Sequence, residues 1–261
     1  MLMGGAGSLG RHRSEKRRGI MKFWDLLYPP RCPLCGEILS LKEGKVHQAC
    51  YRKLLRVREP LCKRCGKPLT PGAGEQREWC MDCLRSRHRH GKSFNQGRAL
   101  WLYSGDIQKS ILDYKYKGMK SYTDFYAEEA VNRWGGWIRS KNPQMLIPVP
   151  LHPRKKRIRG YNQAELLAKS IGKRMEIPVG TDVLYRKRWT EPQKAVSGQE
   201  RRHNLAKSME IRHLPENLRR VLLIDDIYTT GSTMEACAGI LKKNGVEEVC
   251  FLTLCIGYGN G

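Results

Sequence analysis

Cysteine spacing constrains this chain more than any other feature. Seven of its ten cysteines fall between Cys32 and Cys83, within 261 residues. They form Cys32-x-x-Cys35, Cys62-x-x-Cys65 and Cys80-x-x-Cys83, with His47-x-x-Cys50 completing the series. Cys35 and Cys50 are 15 positions apart, and so are Cys65 and Cys80, so the region reads as a duplicated ribbon. Each C-x-x-C turn offers two sulfurs from one tight loop, and two such turns satisfy a tetrahedral ion. The residues at Cys32, Cys35, His47 and Cys50, and those at Cys62, Cys65, Cys80 and Cys83, thus predict two closed, structural Zn2+ sites. Sequential pairing is the expected arrangement, and a cross-braced one using alternate knuckles fits the same spacing. His47 is the softest of the eight ligands; His88 and His90 read as solvated. Gly36 and Gly66, each following a knuckle, let backbone N–H groups approach the thiolates. Few aliphatics lie between residues 31 and 95, and a region of that size needs metal staples to fold.

Residues 1–20 are rich in Gly, Ser and Arg and read as a disordered basic leader; either Met1 or Met21 suits as the start. Gly5, Gly7 and Gly10 match a dinucleotide fingerprint only formally, because no strand precedes them and no βαβ unit follows. No secretory h-region appears, so paired C-x-x-C reads as metal binding and the expected compartment is the cytoplasm. Mean hydropathy is −0.59, and no apolar run approaches the roughly 18–20 residues of a membrane span. Lys and Arg outnumber Asp and Glu 49 to 25, a net charge of +24 spread along the whole chain. That balance suits a polyanionic partner, whether nucleic acid or a phosphorylated small molecule.

The expected organisation is a leader over 1–20, a double zinc ribbon over 21–95 and an α/β domain over 96–261. Residues 87–97 read as a polar boundary. Beyond it, strands are predicted at 98–104, 145–149, 221–224 and 249–256. Helices are predicted at 107–117, 123–140, 162–175 and 232–244. Alternation of this kind means a parallel sheet flanked by helices. The run of five cations from Arg154 to Arg159, right after a strand, offers the positive charge that a pyrophosphate group needs; an exposed basic loop is the alternative. The polar stretch spanning Leu184–Arg186, Thr190, Gln193, Arg201 and Asn204 reads as a long functional loop.

The sharpest segment is Val221-Leu-Leu-Ile-Asp-Asp-Ile-Tyr-Thr-Thr-Gly-Ser-Thr233. An apolar strand leads into two acids, a hydroxyl-rich glycine loop and a helix. Ligands of open α/β sheets bind beyond the carboxyl ends of strands. Helix N-termini and loop N–H groups favour phosphate there. Thr229, Thr230, Gly231, Ser232 and Thr233 can cradle a phosphate, and Asp225 and Asp226 can accept from vicinal ribose hydroxyls. Two adjacent carboxylates add nothing to strand packing, so their replacement by Asn is expected to leave the fold intact or to stabilise it.

This segment resembles the 5-phosphoribosyl-1-pyrophosphate (PRPP) motif of the type I phosphoribosyltransferases. In such enzymes the acids would be catalytic, Mg2+ would accompany PRPP, and Arg159, Lys155 and Lys156 would hold the pyrophosphate. The order of features is also telling: zinc knuckles, Tyr116-Lys-Gly118, Arg159-Gly-Tyr-Asn-Gln163, Gln193/Arg201/Asn204, then the PRPP motif. From residue 24 to 257 this resembles the ComF family of competence-associated proteins. The resemblance implies a type I phosphoribosyltransferase-like domain behind a small double zinc ribbon, and cytoplasmic work on single-stranded DNA during natural transformation, beside the DNA-uptake machinery. It leaves catalysis open. The alternative is a non-catalytic nucleic-acid-binding protein that keeps the fold as a ligand sensor or platform, with Tyr51, Trp79 and Trp189 available for base stacking. A transcription regulator would need a helix-turn-helix, which the sequence lacks.

Overall fold

A computed structural model describes residues 29–40, 42–69, 78–87, 92–187 and 208–257. The leader, His88, His90, Trp189, Thr190, Gln193, Arg201 and Asn204 lie outside them.

Four strands form one sheet: β1 (Gln96–Leu102), β2 (Met145–Pro148), β5 (Arg220–Tyr228) and β6 (Glu248–Ile256). Their order is β1-β6-β5-β2 and every pair is parallel. Near-continuous apolar runs such as Val249–Leu252 are what a sheet buried on both faces demands. One face is covered by α3 (Gly105–Tyr116), α4 (Tyr122–Lys141) and α6 (Gln163–Met175). Ile107, Ile111, Phe125, Leu167 and Ile171 pack there against Leu100, Leu222 and Leu252. The other face carries α7 (Ser232–Lys243) and an antiparallel ribbon, β3 (Leu184–Arg186) with β4 (Met209–Ile211). Met234, Cys237 and Leu241 pack there against Leu223, Val249 and Phe251.

The basic run read as a loop is a short helix, α5 (Pro153–Arg159). The His152 side chain accepts from the Arg154 N–H, Pro153 sits in the first turn, and Gly160 stops the helix at φ 76°. Caps alone define it: with no apolar stripe it gives no periodic signal.

The cysteine-rich segment contains two short helices, α1 (Gln48–Arg52) and α2 (Met81–Arg87), and straddles the free edge of β1. The Val57 N–H donates to Leu100 O at 3.0 Å, and the Leu102 N–H donates to Leu55 O at 2.8 Å. These bonds cover backbone groups that would otherwise template edge pairing. The first ribbon half lies on the α4 face, where Cys32, Leu34, Leu39 and Leu54 join the core. The second half lies on the α7 face with Leu61, Cys62, Cys65 and Cys83. Residues 92–97 of the predicted polar boundary lead from the ribbon into β1. Phe94 is fully buried, and the Ser93 N–H and hydroxyl both donate to Glu235 of α7.

Candidate functional site

The two metal clusters follow the sequential pairing. Ligand atoms of Cys32, Cys35, His47 and Cys50 lie within 4.8 Å of one another, as do those of Cys62, Cys65, Cys80 and Cys83. The His47 Nδ1 faces the first cluster, 3.3 Å from Cys35 Sγ, while its Nε2 lies 3.5 Å from Glu43. A carboxylate on the outer nitrogen fixes the ring for ligation. Burial pushes the Cys32 thiol up, but backbone N–H groups of Cys35, His47 and Leu34 bring it down to about 7. Both knuckles fold alike: Gly36 and Gly66 have φ of 83° and 75°, and their N–H groups donate to Cys32 O and Cys62 O. These donor sets fit two structural zinc ions, and the matching backbones explain the 15-residue repeat.

The second candidate site lies at the carboxyl end of β5. The strand does not end at Ile224 as the apolar run suggested. It continues through Asp225, opposite Thr253, to Tyr228, opposite Ile256. The acids stay in the sheet because each meets compensating groups. Asp226 forms an ion pair with Lys115 of α3, Nζ to Oδ2 2.9 Å, and both side chains are largely buried. Burial pulls the Lys115 ammonium down, but Asp226 outweighs this and holds it above the usual lysine range. Asp225 feels Arg186 of β3 and Cys237 of α7 as well as Lys115 and Arg159. The two neighbours look to opposite faces, as successive strand residues do. Burial first, then the Asp226 charge, pushes Asp225 up to about 8; the Asp226 N–H donates to its Oδ1 at 2.8 Å. The expectation that both acids are idle for folding is therefore corrected. Asp226 is half of a largely buried ion pair, and Asp225 carries a burial cost that its neighbours offset only in part.

The loop that follows is tightly built. Gly231 has φ 77°, and a Cβ there would sit 2.4 Å from the Tyr228 hydroxyl, so a side chain is excluded. Thr230 Oγ1 and Ser232 Oγ are 2.9 Å apart, and α7 starts at Ser232. Thr229 and Thr230 are exposed, Thr233 is half-buried, and Gly231 and Ser232 are buried. Tyr228 anchors the loop from below, stacked on Phe251 at 4.8 Å with Phe94 edge-on at 6.2 Å. The charges of Cys65, Cys83 and Cys80 reach Tyr228, so the second metal cluster adjoins this anchor.

Cations surround the acids. Arg159 stacks on Tyr116, 4.7 Å to the ring centre, and donates to the Tyr116 hydroxyl and to Gln163 Oε1. Its charge reaches Asp225. Lys155 lies among Arg186, Arg159 and Lys115; burial, followed by those like charges, lowers its pKa. Lys156 is held 3.3 Å from Glu165 of α6. Of the predicted stacking residues, the Tyr51 hydroxyl donates to Glu129 and Trp79 packs under Arg64. Sequence reasoning missed Lys115 and put Arg186 in a long functional loop, whereas Leu184–Arg186 form the strand β3. Lys115 was detectable: it falls four residues after Ile111 and eight after Ile107, on the buried stripe of α3, where a charge needs a partner.

Comparison with known proteins covers both regions. Residues 23–84 match the double zinc ribbon domain, and residues 160–260 match the phosphoribosyl transferase domain. The chain is 34% identical over 233 residues to the DNA utilization protein YhgH of Escherichia coli O157:H7, covering 88% of this chain and 98% of the relative. It is 29% identical over 229 residues to competence protein F of Haemophilus influenzae, covering 84% and 93%. It is 26% identical over 218 residues to competence protein ComFC of Bacillus subtilis, covering 81% and 84%.

Proposed function

The chain belongs to the ComF family, and from that premise we propose that it binds PRPP, or a related phosphoribosyl ligand, at the end of β5 and handles single-stranded DNA in the cytoplasm. One observation carries the ligand reading. Two acids lead directly into a Thr-Thr-Gly-Ser-Thr loop that opens α7, with cations of α5 and β3 facing them. The α7 N-terminus and the loop hydroxyls take the 5-phosphate. Asp225 and Asp226 accept from the ribose hydroxyls. Arg159 and Lys155 attract the pyrophosphate as charged hydrogen-bond donors. In a transfer, the C1–pyrophosphate bond breaks, the acceptor atom bonds to C1, and pyrophosphate leaves with the bonding pair.

The DNA reading draws on the relatives' names, competence and DNA utilization, and on the charge of +24. Near the site, the exposed side chains of Tyr116 and Ile158 flank Arg159. An aromatic face among cations suits an unpaired base. The zinc clusters act as structural staples. Among the described residues no helix is long and apolar enough to cross a membrane.

Calorimetry with PRPP tests the ligand reading. Thr230→Val is expected to weaken binding at least tenfold, about 1.4 kcal/mol, with zinc content unchanged. Equal affinity in the variant would remove the loop from the reading. Anisotropy with a single-stranded oligonucleotide should show binding that falls steeply with salt.

A further inference from the structure

A type I phosphoribosyltransferase motif implies a divalent cation beside the acids, but the acids of this chain do not fit one. Mg2+ seeks carboxylate oxygens and near-octahedral geometry. Asp226 Oδ2 is already taken, 2.9 Å from the Lys115 ammonium, and both groups are largely buried. Asp225 Oδ1 accepts the Asp226 N–H at 2.8 Å. As successive strand residues the two carboxylates sit on opposite sides of β5; Lys115 pairs with Asp226 and its charge also reaches Asp225, which Arg186 and Arg159 face as well. Lys155 and Arg159 add two further cations. Lys115, Arg159 and Arg186 therefore act on the two acids, with Lys155 beside those cations, and a dication entering there would meet net repulsion.

We propose that Lys115 stands where other sites place a divalent cation: its ammonium neutralises Asp226, and the phosphoribosyl ligand enters without a metal. This inference rests on the ligand reading above. Lys115 is a positioning residue, because it acts through Asp226. Its place on the α3 stripe, four residues beyond Ile111, makes it a fixed charge that requires no recruitment. The 5-phosphate and pyrophosphate then meet Arg159, Lys155 and the α7 N-terminus directly. Arg186 on β3 guards Asp225 from the opposite side.

The test is calorimetry of zinc-loaded full-length protein with PRPP, in resin-treated buffer without Mg2+ and again with Mg2+ in excess. The wild type should give dissociation constants that agree within roughly threefold. Lys115→Gln should lose at least about tenfold without Mg2+ and regain part of that loss when Mg2+ is added. A merely structural role for Lys115 would give a loss that Mg2+ does not repair. Melting temperature and zinc content confirm that the variant folds, and the wild-type comparison stands even if it does not. Wild-type binding that requires Mg2+ would overturn the inference and leave the ligand reading intact. No PRPP binding in either buffer would overturn both.

Discussion

The two halves of the zinc ribbon share one backbone design and serve different neighbours. In each, the glycine after the knuckle donates its N–H back to the first cysteine's carbonyl, and an isolated antiparallel bridge closes the turn. The first half, with three thiolates and an imidazole, grips the outside of α4: Tyr51 bonds Glu129, and Lys45 pairs with Asp124 and Glu128. Those contacts are polar and mostly at the surface, and beneath them Cys32, Leu34, Leu39 and Leu54 join the core on that face. The second half has four thiolates, and Cys62, Cys65 and Cys83 are part of the core that holds Phe94, Tyr228 and Phe251. Gly66 packs so closely on β1 that a Cβ would lie 2.5 Å from Gly97 O. Duplication supplied one staple for each face of the sheet, and only the second adjoins the anchor of the candidate phosphate loop.

Zinc removal should separate the halves most sharply. Cys62→Ser and Cys35→Ser should each lower zinc content from two ions per chain to about one. Cys62→Ser should also loosen Tyr228 and weaken PRPP binding by more than about tenfold, whereas Cys35→Ser should leave affinity within about threefold. Zinc analysis with calorimetry reads both effects. Equal losses of PRPP affinity in the two variants would show that the halves are functionally equivalent, against the packing described here.

The next contrast lies between the faces of β5. On the α4 side, Asp226→Asn strands a buried lysine charge, and breaking such a pair costs up to about 3 kcal/mol. For a chain of this size that lowers the melting temperature by roughly 6–12 °C. A melt unchanged from wild type would mean that Lys115 finds another partner and that the ion pair adds nothing to stability.

How much of this was readable in the sequence depends on the range of the interactions. The metal ligands were legible because knuckles are local and their spacing follows from coordination geometry. The candidate phosphate loop was legible for the same reason: strand, glycine turn and helix are consecutive. Helix α5 was not, since its capping residues define it while its hydrophobic pattern is silent. Lys115 was not assigned either, because its partner is 111 positions away and appears only when α3 packs on the sheet. The ribbon's seat on β1 was equally hidden. Leu55, Arg56 and Val57 look like any polar connection until Leu100 and Leu102 meet them.

The smallest expected effect comes from the other side of β5, where Asp225 faces Arg186 and Cys237. Burial and the neighbouring Asp226 charge push this carboxyl up to about 8, while an unfolded aspartate titrates near 3.9. Between those values the folded protein holds a proton that the unfolded chain has released. Stability from this group is therefore complete below about pH 4 and is lost as pH rises toward 8. Asn cannot titrate, so Asp225→Asn should escape that loss. Allowing for the part of the residue that meets solvent, the gain at pH 8 over pH 6 is on the order of 1 kcal/mol. Both pH values keep the zinc thiolates ligated, so melts at pH 6 and pH 8 isolate the carboxyl. The difference between variant and wild type should grow with pH. A constant difference across the two pH values would mean that Asp225 is already ionised at pH 6, and the two faces of the strand would then treat their acids alike.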